Sequence, residues 1–226
     1  HYTHGKDTIA GSKSSEEELT KKPYSEYGKL SVEAGYVVFV PDWWGWGDKK
    51  GHLNLVGNFR DKCNVIQMAA SMYGFNLLDL NMLETDAVVD FLQTLNYVDS
   101  DRIGIIGNSY GGRISMWAAA FNKKIRCTVS AGAMNLFSER ASKLASCAIQ
   151  YFSGLLKYGD VGDIYSLIAP RPLCLQAGSD DDLINSSDRD QIALIVSKAY
   201  HECGCQDKLS IEYFNGAHYL NWELAE

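Results

Sequence analysis

The sequence predicts an α/β protein with a mostly parallel sheet and helices on both faces. Three observations point there. Short apolar runs rich in β-branched residues alternate with longer stretches of helical periodicity, the pattern of βαβ units. One such run, Arg102 to Ile106, leads through a glycine-bounded turn, Gly107-Asn108-Ser109-Tyr110-Gly111, straight into a helical stretch, Arg113 to Ala120. Two later runs end in polar clusters, Gly178-Ser179-Asp180-Asp181-Asp182 and Asn215-Gly216-Ala217-His218, where a parallel sheet gathers its ligand chemistry.

The 226 residues are read as a single domain, 1–226, large enough for a sizeable core. The apolar fraction of 46% and the charged fraction of 22% are those of an ordinary globular enzyme. No apolar run approaches the length of a membrane span, so none is expected. A net charge of −7 argues against nucleic acid and anionic membrane surfaces as partners. There is neither a signal peptide nor an initiator Met, so a cytoplasmic protein is expected unless a targeting segment precedes His1. Six cysteines do not demand a disulfide framework in a chain with its own core. Cys127 and Cys174, in apolar runs, are expected as small core residues, and Cys203-Gly204-Cys205 as a plain loop rather than a metal pair.

Taken in order, Tyr2-Thr3-His4-Gly5 reads as a strand end entering a loop, and residues 6–23 as a solvated stretch or exposed helix start. Pro23 to Ala34 has apolar residues at helical spacing and stops at Gly35. Tyr36 to Val40 (YVVFV) reads as a buried strand, followed by a long loop from Pro41 to Arg60. Asp61 to Tyr73 predicts a helix closed by Gly74, and Asn76 to Leu95 a longer one with an apolar stripe. After the glycine turn come a strand at Ile125 to Ser130 and a weakly periodic region with a helix near 139–152. A proline-stiffened entry then leads to the strand Leu173 to Ala177, a helix Asp188 to His201 and a last strand Leu209 to Phe214.

The chemistry follows from that order. A tight strand-to-helix turn lifts the Ser109 hydroxyl at the strand's end and sets the Tyr110 N–H at the helix N-terminus, where an oxyanion is stabilised. Gly107 and Gly111 are expected there because a Cβ would clash between strand and helix. A serine hydroxyl needs a histidine to take its proton and a carboxylate to orient that histidine. His218 is the expected base; His201, at a helix terminus, is expected instead to serve as a C-terminal helix charge. Among the aspartates Asp181 is the first choice, with Asp180 and Asp182 as backups that periodicity does not separate. A second oxyanion donor is expected at the N–H of Lys6, after His4-Gly5. Trp43, Trp44 and Trp46 follow the strand Tyr36 to Val40 and are candidate substrate-binding residues, the alternative being packing of the loop. Lys49, Lys50, His52 and Arg60 are taken as a solvated loop.

The stretches HG at 4–5, GYVVFVPDWWGWGD at 35–48, VDSDRIGIIGNSYGG at 98–112, APRPLCLQAGSDD at 169–181 and GAH at 216–218 resemble the α/β-hydrolase fold. More narrowly they resemble its dienelactone-hydrolase and acetyl-xylan-esterase-like branch, with which GLLKYGDVGDIYSLIAPRPL at 154–173 is also associated. The resemblance implies Ser109 as nucleophile, Asp181 as acid in the G-x-x-D pattern from Gly178, His218 as base, and Tyr110 and Lys6 as oxyanion donors. It implies a serine esterase on a small acyl ester, an acetylated sugar among them, with no metal or organic cofactor. That branch has two or more strands before the HG loop, and this chain lacks them. The expectation is therefore an incomplete N-terminus or an edge built otherwise, with exposed apolar surface favouring a partner subunit, such as a homo-oligomer, or a missing segment. Two other readings stay open: a peptidase, because G-x-S-Y-G-G also resembles the prolyl-oligopeptidase family, and a non-catalytic binding protein that keeps the fold.

Overall fold

The computed structural model describes residues 5–12, 16–50, 59–143, 146–151 and 153–225. Its centre is a four-stranded, all-parallel sheet formed by β1 (Gly104–Asn108), β2 (Cys127–Ala131), β3 (Leu173–Gly178) and β4 (Leu209–Phe214). The strands lie side by side in chain order, with registers Ile106↔Val129, Val129↔Cys174 and Leu175↔Ile211. All four carboxyl ends therefore face one way, and the polar clusters after β1, β3 and β4 meet at one rim.

The helices are α1 (Lys6–Ile9), α2 (Glu16–Lys21), α3 (Tyr27–Glu33), α4 (Phe59–Met72), α5 (Leu77–Gln93), α6 (Tyr110–Phe121), α7 (Phe137–Lys143), α8 (Val161–Ser166) and α9 (Ser186–Glu202). α6 is buried on nearly every side and mostly apolar, with Arg113 and Ser115 the buried exceptions. Ile114, Met116, Trp117 and Ala119 are all buried in the main core with Leu175 of β3, Tyr165 of α8 and Ile192 of α9. A helix without a polar face belongs in the interior. The opposite face of the sheet presents Ile106, Val129 and Ala131 to Tyr27 of α3 and to Leu220 beyond β4. Alternate side chains of one strand thus feed two cores, and helices cover both faces as expected.

Most strands and helices lie within a few residues of the expected positions. α5 starts on a capping box: the Asn76 side chain accepts from Leu78 N and the Asp79 carboxylate accepts from Asn76 N. Three expectations are corrected and one element is added. Tyr36 to Val40 is not a strand; Tyr36, Val37 and Phe39 are exposed, and among the described residues β1 pairs on one side only, with β2. The helix expected over 139–152 resolves into α7 and a 3₁₀ turn, Ala148–Gln150. Helix α8, with an Asp160 capping box, was not anticipated because it is only 6 residues long. Cys127 is exposed at the start of β2 and Cys174 is half-buried, so neither is a core residue.

Candidate active site

Ser109 connects β1 to α6 with φ 59° and ψ −117°, and no other described non-glycine residue has a positive φ. An L-residue there is strained, and a strained residue is retained where its surroundings over-determine it. The surroundings are visible. Ser109 N donates to Ala131 O at 2.8 Å, the end of the neighbouring strand, and Arg113 N donates back to Ser109 O at 3.0 Å. A Cβ on Gly107 would stand 2.3 Å from the backbone of Gly111, so strand and helix approach as closely as expected. Gly111 itself has room, with only Tyr27 Oη at 3.9 Å. The second tight position is Gly112, whose Cβ would meet Ala131 O at 2.6 Å.

The loops after β3 and β4 are zipped together beyond the sheet. Ser179 N donates to Phe214 O at 2.9 Å and Asp180 N to Gly216 O at 2.9 Å. A Cβ on Gly178 would lie 2.2 Å from Gly216 O, so only glycine admits this approach. That pairing brings Asp181 to His218. The His218 Nδ1–H donates to Asp181 Oδ2 at 2.6 Å, an assignment that follows because an ionised carboxylate only accepts. Leu183 N donates to Asp181 Oδ1 at 2.9 Å, so both carboxylate oxygens are held. Asp181 is 5% exposed, whereas Asp180 and Asp182 are exposed; burial separates what periodicity does not.

The remaining ring nitrogen, His218 Nε2, is buried and has no hydrogen-bond partner among the described residues. The ring lies on Gly132, directly after β2: a Cβ there would stand 2.9 Å from His218 Cε1 and 2.8 Å from Asn108 Oδ1. Ser109 is bonded to Ala131, the residue before Gly132, so the turn and the imidazole share one corner of the sheet. Beyond His218 the chain is pinned by Gln176, whose buried amide accepts from Asn221 N and donates to Asn221 O, each at 3.0 Å. Gln176 in β3 was not anticipated; a buried amide in a strand is the signal that could have found it.

Lys6 is placed differently from expectation. Its N–H donates to Asp42 Oδ1 at 2.7 Å and its ammonium pairs with Asp42 at 2.7 Å and with Asp48. Asp42 is buried; burial opposes its ionisation, but the bonds from Lys6 and from Asp48 N hold its carboxyl below the usual range. Bonds to the Asp42 and Asp48 carboxylates raise the Lys6 ammonium. Asp42 is thus a hub joining residues 5–6 to 42–48. His4 and His52 lie outside the described residues.

The tryptophans divide. Trp46 is buried and stacks on Tyr110, with ring centroids 5.0 Å apart. Trp43 is partly buried against the main core. Trp44 is the most exposed, its indole N–H donating to Glu84 Oε1 at 3.1 Å. Tyr110 is itself fixed, its hydroxyl accepting from Asn81 Nδ2 at 2.6 Å, and burial pushes its phenol well up. His201 lies in the last turn of α9, whose C-cap is Cys203, and meets Gln206 at 2.6 Å. Among the described residues no three His, Cys, Asp or Glu side chains gather as a metal site, and no helix is long and apolar enough to cross a membrane.

The family model describing the alpha/beta hydrolase fold matches residues 14–179. The Bacillus subtilis (strain 168) protein YtaP, assigned as a hydrolase, is 29% identical over 181 residues, which is 76% of this chain and 56% of YtaP. Among solved structures, a Bacteroides fragilis protein assigned as an acetyl xylan esterase superposes with TM-score 0.75 at 19% identity, covering 96% of this chain and 59% of that one. A glucuronoyl esterase from Solibacter usitatus superposes with TM-score 0.57 at 19% identity, over 67% of this chain and 47% of its own. The chain thus spans about half the length of the relatives it matches.

Proposed function

The chain belongs to the alpha/beta hydrolase fold family, and from that membership we propose that it is a serine esterase acting through an acyl-enzyme. Ser109 is the nucleophile, His218 the base and Asp181 the acid that orients it. The observation that carries this reading is the two-sided state of His218. Its Nδ1–H is committed to Asp181, which leaves Nε2 as a lone-pair acceptor, buried and without a partner among the described residues. A buried acceptor left unpaired costs free energy, on the order of 1–3 kcal/mol, which a donor bound there would recover. A hydroxyl proton is what such a nitrogen takes.

The reaction is then a two-step acyl transfer. His218 removes the Ser109 proton as the oxygen attacks the ester carbonyl. The oxyanion meets the Tyr110 N–H at the start of α6, where the helix dipole adds to the bond. His218 returns the proton to the leaving alcohol, and a water, deprotonated in the same way, releases the acid. The chemistry draws on side chains and water alone. Lys6 N–H serves as the second donor only if its bond to Asp42 opens, which makes Lys6 the weakest member of the expected set.

For substrate we propose a short acyl ester, with an acetylated sugar as the first class to try. Two things support it: the likeness to a protein assigned as an acetyl xylan esterase, and Trp44, which keeps an exposed aromatic face and shares Asn81 with Tyr110 through its backbone N–H. Trp46 supports Tyr110 from beneath. Hydrolysis of p-nitrophenyl acetate, butyrate and octanoate tests the acyl preference. The expected order is acetate fastest, with Ser109→Ala inactive; a preference for octanoate would overturn the short-acyl reading, and cleavage of amides at comparable rates would favour a peptidase.

A further inference from the structure

The sequence gives no hint that Arg113 is anything but a break in an apolar helix. In the structure it is 2% exposed, and no carboxylate lies within ion-pair distance among the described residues. Burial without a counter-ion lowers its guanidinium from its usual value. Methionine or leucine would fill a core helix position at less cost, so stability alone does not account for a buried cation. What the cation touches does. Arg113 Nη2 donates to Asn135 O at 2.5 Å and to Asn135 Oδ1, while the Phe137 ring lies 4.4 Å away and offsets part of the charge. With its oxygen held by a cation, the Asn135 amide is fixed, and its Nδ2 donates to Leu183 O at 2.9 Å. Arg140 Nη1 reaches the same oxygen at 3.1 Å. The other end of this residue, Leu183 N, is the donor to Asp181 Oδ1.

We propose that Arg113 is a positioning residue for Asp181, tying the loop that carries the acid to the helix that carries Ser109. The path is continuous: Arg113 N bonds Ser109 O one helical turn back, and its guanidinium reaches Asp181 through Asn135 and Leu183. The proposal rests on the esterase reading. It adds that the loop carrying the acid is tied to the Ser109 helix through a buried cation, and not only through the pairing of the β3 and β4 loops.

The test is a cycle. Arg113→Met is made alone and in an Asp181→Asn background, with kcat and KM for p-nitrophenyl acetate, a thermal melt, and amide exchange at Leu183. Misplacing a catalytic group by about 1 Å costs up to roughly 100-fold in rate. The folded single variant should therefore lose about 10- to 100-fold in kcat with KM unchanged, and Leu183 N–H should exchange faster while the β3 amides do not. In the Asp181→Asn background Arg113→Met should add little, because its effect travels through that carboxylate. An unchanged kcat, an equal loss in both backgrounds, or an unchanged Leu183 exchange rate would overturn the proposal. Should Arg113→Met fail to fold, Arg140→Gln carries the same cycle with a smaller, few-fold loss, because it removes one of the two bonds to Leu183 O. An inert but folded wild type would overturn the esterase reading instead, and the exchange experiment would still report whether Arg113 holds the loop.

Discussion

Asp181 differs from Asp180 and Asp182 only in where its side chain points. It is buried with both oxygens bonded, and its neighbours face solvent. Asp181→Asn should therefore lower kcat by roughly 1,000- to 10,000-fold by presenting His218 with the wrong tautomer, whereas Asp180→Asn and Asp182→Asn should stay within about twofold. Steady-state kinetics on the three variants checks this. The places of Ser109 and His218 at strand ends were legible in the sequence because each follows a strand in a recognisable local pattern. The carboxylate that meets His218 was legible only as a group of three, since a turn of consecutive aspartates carries no periodicity to say which one turns inward. Arg113, Asn135 and Gln176 were not legible at all. Their roles consist of bonds to backbone groups 22, 48 and 45 residues away, which no local pattern encodes.

The elements obey close-approach rules with measurable consequences. Gly107→Ala would drive a Cβ into the Gly111 backbone, which cannot yield as a side-chain tip can. It should cost about 3 kcal/mol or more in urea unfolding and remove activity with it. Asn76→Ala removes the α5 cap and should cost about 1 kcal/mol, with activity retained. The Asp42 hub has a pH signature. A carboxyl whose folded value is lowered stabilises the fold above the ordinary carboxylate range, and that contribution is lost as pH falls through it. Lys6, raised by the same contact, keeps its contribution up to strongly alkaline pH. Asp42→Asn should thus be less stable than wild type at pH 7, and the gap should close toward about pH 3, as denaturant melts across that range would show. The helices and three-residue periodicities were legible where they ran past two turns; α8 and the broken 137–150 region were not, because short helices are decided by caps and tertiary contact.

At the scale of the whole molecule, β1 and β4 are the two edge strands of the sheet among the described residues. Among the described residues β1 pairs with β2 alone; Tyr36, Val37 and Phe39 stand exposed, and Phe39 packs beside Phe91 of α5, lining an apolar groove with Ala87 and Val88. The sequence YVVFV has strand composition, but a strand is made by a ladder partner, and none pairs with it among the described residues. This is why the reading that worked for four strands failed for this one. The exposed surface should bind a hydrophobic dye, and Val37→Thr with Phe39→Ser should reduce that fluorescence without altering the melt. The central claim, a serine activated by His218 in an alpha/beta hydrolase fold, is tested most directly by covalent labelling. We would treat the folded chain with a fluorophosphonate and read the intact mass. The account predicts one adduct per chain, located on Ser109, absent in Ser109→Ala and formed far more slowly in His218→Ala. A folded wild type that takes no adduct, or one that is labelled at another residue, would contradict it.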